Sequence, residues 1–238
     1  MTRLDVLVAR HGLAASRERA QALIIAGKVR VGGETVRRPD RAVREDEAIS
    51  VEAGPDYASR GALKLAPALR DLAVDPSERV CADIGASTGG FTDVLLRRGA
   101  TKVYAVDVGR GLLDWRLRQD GRVVVMERVN ARDLQPFPEP VSLVVVDVSF
   151  IGLEKVLPAI RAAAPTAEVV ALFKPQFQVG RDQVGKGGIV RDEAAIRAAL
   201  DRTRKWCEAH GYEVRAELPS EVSGAEGNRE IFLHLAPR

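Results

Sequence analysis

Residues 80–92, Val-Cys-Ala-Asp-Ile-Gly-Ala-Ser-Thr-Gly-Gly-Phe-Thr, restrict the fold more than any other stretch of the chain. An apolar run ends on a glycine turn, and a helical pattern then continues to Arg97. Glycine lacks the Cβ that penalises left-handed backbone and close approach, so such a turn lets backbone N–H groups reach a ligand. Asp83 stands two residues before Gly85, giving D-x-G-x-S-x-G-G rather than the dinucleotide pattern G-x-G-x-x-G. Asp107 closes the next apolar run, 22 residues after Gly85, where an acid can hold ribose hydroxyls.

The pattern around this turn is alternating. It predicts strands near Arg79–Asp83, Lys102–Asp107, Arg122–Met126, Val141–Asp147, Glu168–Phe173, Glu213–Leu218 and Glu230–Leu235. Helices are predicted at Arg60–Leu72, Phe91–Arg98, Leu112–Arg118, Leu153–Ala164 and Asp192–His210. Leu143–Val146 and Val169–Leu172 are apolar at consecutive positions, the mark of parallel strands covered on both faces. The last two strands have no helix between them and are expected to pair as an antiparallel edge. The fold class is therefore α/β, a Rossmann-like, mostly parallel seven-stranded sheet with an antiparallel last strand. Without a phosphate-type fingerprint, the loop favours S-adenosylmethionine over a nicotinamide cofactor.

The first sixty residues read differently. Leu4, Leu7, Val8 and Leu13 have helical spacing, Ser16 can cap a helix over Arg17–Ala26, and short strands follow at Val29–Val31, Glu34–Val36 and Ile49–Val51. A small α+β domain is expected at 1–54, a Pro/Gly-punctuated linker at 55–60 and the large domain at 61–238. Charge is segregated: residues 1–44 hold ten Lys or Arg against four acids, and residues 45–56 hold five acids and no base. A basic surface of this kind suits a polyanion. The two cysteines, Cys81 and Cys207, and three scattered histidines lack metal-ligand spacing, so no metal site is expected. The amino-terminal residues have no signal-peptide pattern and no apolar run reaches the ~20 residues of a membrane helix, so a cytoplasmic setting is expected.

In an open α/β sheet, ligands gather beyond the carboxyl ends of the strands. Asp83, Asp107, Asp147 and Lys174 all fall there. A single charge at a strand end can mark no more than the chain leaving the core; four together point to a site.

Two resemblances extend these readings. Leu4–Val8, Ser16–Ala20 and Gly27–Gly33 resemble the small alpha-L RNA-binding domain first seen in a ribosomal small-subunit protein. The resemblance implies phosphate contacts from Arg3, Arg10, Arg17, Arg19, Lys28 and Arg30, with Arg60 added beyond the domain. The whole chain resembles the TlyA family of rRNA 2′-O-methyltransferases, whose catalytic domain is similar to FtsJ. The blocks that carry this are Ser59–Leu65, Asp83–Thr92, Tyr104–Gly109, Asn130–Asp133, Asp147–Ile151, Phe173–Phe177, Gly185–Asp192 and Gly227–Glu230, in family order.

The resemblance implies a catalytic tetrad of Lys64, Asp147, Lys174 and Glu230. Lys174 would accept the proton of a ribose hydroxyl or stabilise its oxyanion. Lys64 and Glu230 would orient the hydroxyl and tune Lys174, and Asp147 would sit between cofactor and tetrad. S-adenosyl-L-methionine would lie against Asp83, Gly85, Ala86, Ser87, Gly89, Gly90, Phe91, Asp107 and Val108, with Asn130 and Ala131 flanking adenine and Asp147 at the methionine end. The implied substrate is cytidine in ribosomal RNA or ribosomal subunits, 23S with 16S as an extension, with no membrane and no obligate protein partner. Ala62 stands where the family often has glycine, and Gln178 where it usually has glutamate. A catalytically silent RNA-binding module and a membrane-active haemolysin are the alternative readings; the intact tetrad opposes the first, and the absence of a membrane helix or long amphipathic hairpin opposes the second.

Overall fold

A computed structural model of the chain describes residues 1–14, 16–25, 27–51, 57–224 and 227–238, with the backbone alone for residues 19 and 22. The chain divides into two compact units, 1–56 and 57–238.

In the first unit, β1 (Thr2–Arg3), α1 (Leu4–Arg10) and α2 (Arg17–Ile25) precede β2 (Val29–Val31), β3 (Glu34–Val36), β4 (Ala42–Val43) and β5 (Ile49–Val51). Strand β2 lies between β3 and β5, and β1 pairs with β4, all antiparallel. Leu4, Leu7 and Val8 of α1 and Ala20 and Ile24 of α2 bury against Val29, Val31, Val36 and Val43. The two-residue strands β1 and β4 are too short to leave an alternation in sequence. Asp5 is fully buried beneath this surface, accepting hydrogen bonds from Arg3 Nε (3.0 Å), Arg17 Nε (3.0 Å) and Gln21 Nε2 (2.7 Å). The Arg3 hydrogen bond, against the cost of burial, holds its carboxyl well below the usual carboxylate range.

The second unit runs α3 (Ala62–Asp71), β6 (Val80–Ile84), α4 (Gly90–Arg97), β7 (Lys102–Asp107), α5 (Trp115–Gln119), β8 (Val123–Glu127), β9 (Leu143–Val146), α6 (Leu157–Ala163), β10 (Glu168–Phe173), α7 (Glu193–Ala209), β11 (Tyr212–Pro219) and β12 (Ile231–Pro237). Its seven strands are ordered β11-β12-β10-β9-β6-β7-β8. The five from β10 to β8 are parallel, and β12 is antiparallel to both of its neighbours. The last strand thus enters between β10 and β11, leaving β11 at the edge. Side chains alternate across a strand: Val144 and Val146 enter the core beneath α6 and α7, Leu143 and Val145 the core beneath α3 and α4. Both faces are covered, which is why these runs read as unbroken apolar stretches.

Three boundaries depart from expectation. Residues 57–60, expected in the linker, belong to the second unit: Ala58 N donates to Asp93 Oδ2 (2.8 Å), and the Arg97 guanidinium lies 4.7 Å from the Tyr57 ring centre. The helix expected at Leu112–Arg118 is confined to α5, started by Asp114, whose Oδ1 accepts from Arg116 N (2.9 Å). The helix expected at Leu153–Ala164 breaks into a 3₁₀ turn, Leu153–Lys155, and α6, because Pro158 has no N–H to give and fits only in a first turn.

Strands β7 and β8 extend to one side of β6, and the chain returns to β9 on its other side. The topological switch point, where a crevice opens between diverging loops, therefore lies between the ends of β6 and β9.

Candidate active site

The glycine loop after β6 fills that switch point. Gly85 has φ +89°, and a Cβ there would lie 2.5 Å from the Asp147 carbonyl oxygen at the end of β9. Gly90 opens α4 against the start of α3; a Cβ there would sit 2.9 Å from Ala62 N. Ala62 itself is helical and fully buried, so the change from glycine is absorbed by the helix. This close approach sets Lys64, on the first turn of α3, at the mouth of the crevice.

Asp83 holds the loop from behind. Its Oδ2 accepts from Thr92 N (2.8 Å) and Thr92 Oγ1 (2.7 Å), while Oδ1 is buried without a hydrogen-bond partner. Burial pushes its carboxyl up to about 7, and the charge of Asp147 adds to the rise. Asp83 does not line the cavity; it fixes the loop to α4, a positioning part rather than the ligand contact expected from sequence. Phe91 likewise packs on Phe232, with ring centres 6.2 Å apart, and is almost wholly buried while touching the cavity.

A cavity of about 230 Å³ lies in front of the loop. It is lined by Gly85, Ala86, Ser87 and Gly90 of the expected loop set, and by Lys64 and Asp147. Ser59, Arg60, Gly61, Thr88, Val222 and Ser223 complete it. Val222 and Ser223 are additions that sequence reasoning missed, since nothing local in Glu-Val-Ser marks them. A smaller space of about 10 Å³ continues between Ala86, Ser87, Asp107, Leu112, Leu113 and Glu127. Asp107 accepts from Ser87 N (2.8 Å) and Gly109 N (2.6 Å), which aims its carboxylate into this space with lone pairs to spare. Gly89, the residue before α4, has φ +94° and is backed by Leu113 and Leu117 rather than by either cavity. Besides Asp83 and Gly89, three further expected cofactor residues lie in neither lining. Val108 is exposed, Asn130 is spent capping a 3₁₀ turn through Arg132 N (3.1 Å), and Ala131 is inside that turn.

The four implied catalytic residues form two ion pairs. Lys64 Nζ donates to Glu230 Oε2 at 2.6 Å, with Glu230 almost fully buried at the start of β12. Lys174 Nζ lies 2.5 Å from Asp147 Oδ1, a charge contact without hydrogen-bond alignment, and donates to Ser149 Oγ at 3.0 Å. Glu230 therefore serves Lys64, and it is Asp147 and Ser149 that hold Lys174. Ser149 was not anticipated, although it lies two residues after Asp147 in a quoted block. Beside Lys174, Phe150 has φ +64° and is 89% exposed, its ring centre 5.2 Å from that of Phe177.

In the first unit the basic residues are distributed as follows. Arg3, Arg10 and Arg17 are about half exposed, Arg10 paired with Glu45 and the other two anchored on Asp5. Lys28 and Arg30 are exposed. The side chain of Arg19 lies outside the described residues. Among the described residues there is no group of His, Cys, Asp and Glu that could hold a metal ion, and no helix is long and apolar enough to cross a membrane.

Residues 57–236 match the FtsJ-like methyltransferase family, and residues 2–49 match the S4 domain. The chain is 48% identical to the 16S/23S rRNA (cytidine-2′-O)-methyltransferase TlyA of Mycobacterium tuberculosis, over 98% of this chain and 89% of the relative. The chain belongs to the TlyA family of methyltransferases. A Brachyspira hyodysenteriae relative named hemolysin A is 39% identical, covering 98% of this chain and 99% of its own. A solved structure from Streptococcus thermophilus, also named as a hemolysin, superposes with a TM-score of 0.78 at 40% identity, over 99% of this chain and 88% of that one. The FtsJ-like unit with its mostly parallel sheet and the amino-terminal S4 unit are thus the architecture of this family.

Proposed function

We propose that this chain methylates the ribose 2′-hydroxyl of a cytidine in ribosomal RNA, with S-adenosylmethionine as donor. The observation that carries this reading is the pair of lysine–carboxylate contacts at the switch point, Lys64–Glu230 and Lys174–Asp147, with Lys64 and Asp147 on one cavity wall. The names of the M. tuberculosis relative and the S4 match supply the substrate class.

The residues present fit the cofactor. Gly85 keeps open a cradle that any Cβ would fill, Asp147 lines the same cavity, and Asp107 presents an oriented carboxylate to the adjoining space. When bound, S-adenosylmethionine supplies an electrophilic methyl group on a sulfonium. The backbone of Gly85–Ser87 and Asp147 would hold its methionine end, and Asp107 its ribose.

The chain's own chemistry is alignment and proton handling. A ribose hydroxyl is a weak nucleophile, and holding its oxygen in line with the methyl is worth several powers of ten in rate. Lys64, fixed by Glu230, and Lys174, fixed by Asp147 and Ser149, would grip that oxygen; Lys174 Nζ would stabilise the oxyanion as an ammonium, or take the hydroxyl proton as a neutral amine once its own proton has passed to Asp147. Exposed Phe150 against Phe177 offers an aromatic face to a base lifted from its stack. The basic face of the S4 unit, Arg3, Arg10, Arg17, Lys28 and Arg30, would hold the RNA by its phosphates, with Arg60 at the cavity mouth.

The test is methyl transfer from labelled S-adenosylmethionine to ribosomal subunits lacking the modification, with the labelled nucleotide mapped in 23S and 16S RNA. Label at a cytidine ribose, lost in Lys174→Ala, is the expected result. Full transfer by Lys174→Ala would sink the assignment of Lys174, and cofactor binding without transfer would favour the silent binding module.

A further inference from the structure

Gln178 stands where the family usually has a carboxylate, and its surroundings explain why an amide serves here. The segment after β9 (149–155) and the segment after β10 (174–178) run side by side from adjacent parallel strands. Near the strands they are joined by Lys174 with Asp147 and Ser149, and farther out by Phe150 on Phe177. Gln178 joins them at the far end: with its amide oriented so that both neighbours are satisfied, Nε2 donates to Glu154 Oε2 (3.0 Å) and Oε1 accepts from Leu153 N (2.8 Å). Glu154 is half-buried, and its carboxylate lies over Gly152, where a Cβ would meet Oε1 at 2.5 Å. Between these ties Phe150 keeps a left-handed backbone, a conformation costly for a side chain of this size and retained only where its surroundings over-determine it.

We propose that Gln178 and Glu154 form a latch that holds the Phe150–Phe177 lip in place to receive RNA, with Gln178 as a positioning residue. The amide is required because it donates to a carboxylate and accepts from a backbone N–H at once. A carboxylate at position 178 would still accept from Leu153 N, but its second oxygen would face Glu154 Oε2, and like charges in contact repel. Glu154 and Gln178 are therefore a matched pair, in which one carboxylate is present and the other position must be neutral. The inference rests on the proposed function, since it takes the lip to be the RNA-facing rim.

The test compares the full-length wild type with Gln178→Glu, Gln178→Met and the exchange variant Gln178→Glu/Glu154→Gln. The readouts are RNA affinity without cofactor, KM for RNA, S-adenosylhomocysteine affinity and melting temperature. Gln178→Glu is expected to weaken RNA binding and raise KM for RNA about tenfold, the factor that 1.4 kcal/mol represents, while S-adenosylhomocysteine binds as in the wild type. The exchange variant restores both to within about twofold. In it the amide, moved to position 154, donates to the carboxylate at position 178, which still accepts from Leu153 N. Gln178→Met, which loses both hydrogen bonds without adding charge, falls between, and it decides the matter where Gln178→Glu does not fold. Wild-type RNA binding in the folded Gln178→Glu or Gln178→Met variant, or an exchange variant as impaired as the single one, overturns the latch. A wild type that binds RNA but transfers no methyl group would instead overturn the proposed reaction, leaving the latch to be judged on RNA binding alone.

Discussion

Lys64 and Glu230 are 166 positions apart in the chain and 2.6 Å apart at their charged atoms. The pair joins the first helix of the catalytic unit to its last strand, so the site closes only when both ends of the unit are folded. Removing one member strands the other in a poorly solvated place. Glu230→Leu is expected to cost about 3 kcal/mol, and adding Lys64→Met should recover part of that loss, since the unpaired buried charge is what is expensive. Urea unfolding of the two variants measures this; a double variant weaker than Glu230→Leu would refute it.

Gly85→Ala should abolish binding of the cofactor product. The new methyl would meet the Asp147 carbonyl oxygen at 2.5 Å in a left-handed backbone, and backbone cannot swing aside as a side chain can. Calorimetric titration with S-adenosylhomocysteine is expected to show at least a hundredfold loss in a variant that still melts cooperatively.

Asp83 makes stability fall with rising pH. Its carboxyl, raised by burial from 3.8 to about 7, keeps its proton in the folded state where the unfolded chain has released it. Stability from this group is fully present below about pH 4 and lost as pH rises through about 7, to a limit of about 4 kcal/mol. Asp83→Asn should flatten that slope and exceed the wild type in stability at pH 8. Equal slopes between pH 5 and 8 in the two proteins would contradict it.

Glu168 acts in the opposite sense at the far end of the sheet. Its Oε1 is bound by His234 Nε2 (2.6 Å) and its Oε2 by Arg79 Nη1 (2.8 Å). The His234 hydrogen bond, opposed by burial and helped by Arg79, brings its carboxyl from 4.5 down to about 2. This contribution, about 3 kcal/mol at most, is present above about pH 4.5 and lost as pH falls through about 2. Glu168→Gln should lower stability at pH 7 and remove most of the acid-induced loss, as followed by circular dichroism.

In the amino-terminal unit, Arg17→Ala and Arg30→Ala should each weaken RNA binding at low salt. Each should also reduce the slope of log affinity against log salt by about one, the signature of a lost phosphate contact. Filter binding across a salt series reads this out, and an unchanged slope would exclude contact with phosphate.

Much of the arrangement was legible in the chain. Consecutive apolar residues at Leu143–Val146 and Val169–Leu172 announced strands covered on both faces, because a side chain in the core leaves its hydrophobicity in the sequence whatever its neighbours are. The glycines of the loop were legible for a similar reason: their backbone admits nothing larger. Helix ends were less so. Pro158 divides what looked like one helix, and Asp114 starts α5 later than the apolar pattern suggested.

What sequence alone determined, then, was local or periodic: the α/β class, the glycine turn and the basic amino-terminal unit; the four charged residues proposed for the site came by resemblance. Only the tertiary structure decided their partners. It turned Asp83 away from the cavity and toward Thr92, gave Glu230 to Lys64 and Asp147 to Lys174, and brought Val222 and Ser223 to the cavity wall. Charges carry no record of which opposite charge they will meet, because that choice is made by strand order and helix packing: β12 inserts beside β10 and β9 lies against β6, which gathers Glu230, Lys174 and Asp147, and α3 packed on α4 brings Lys64 to them.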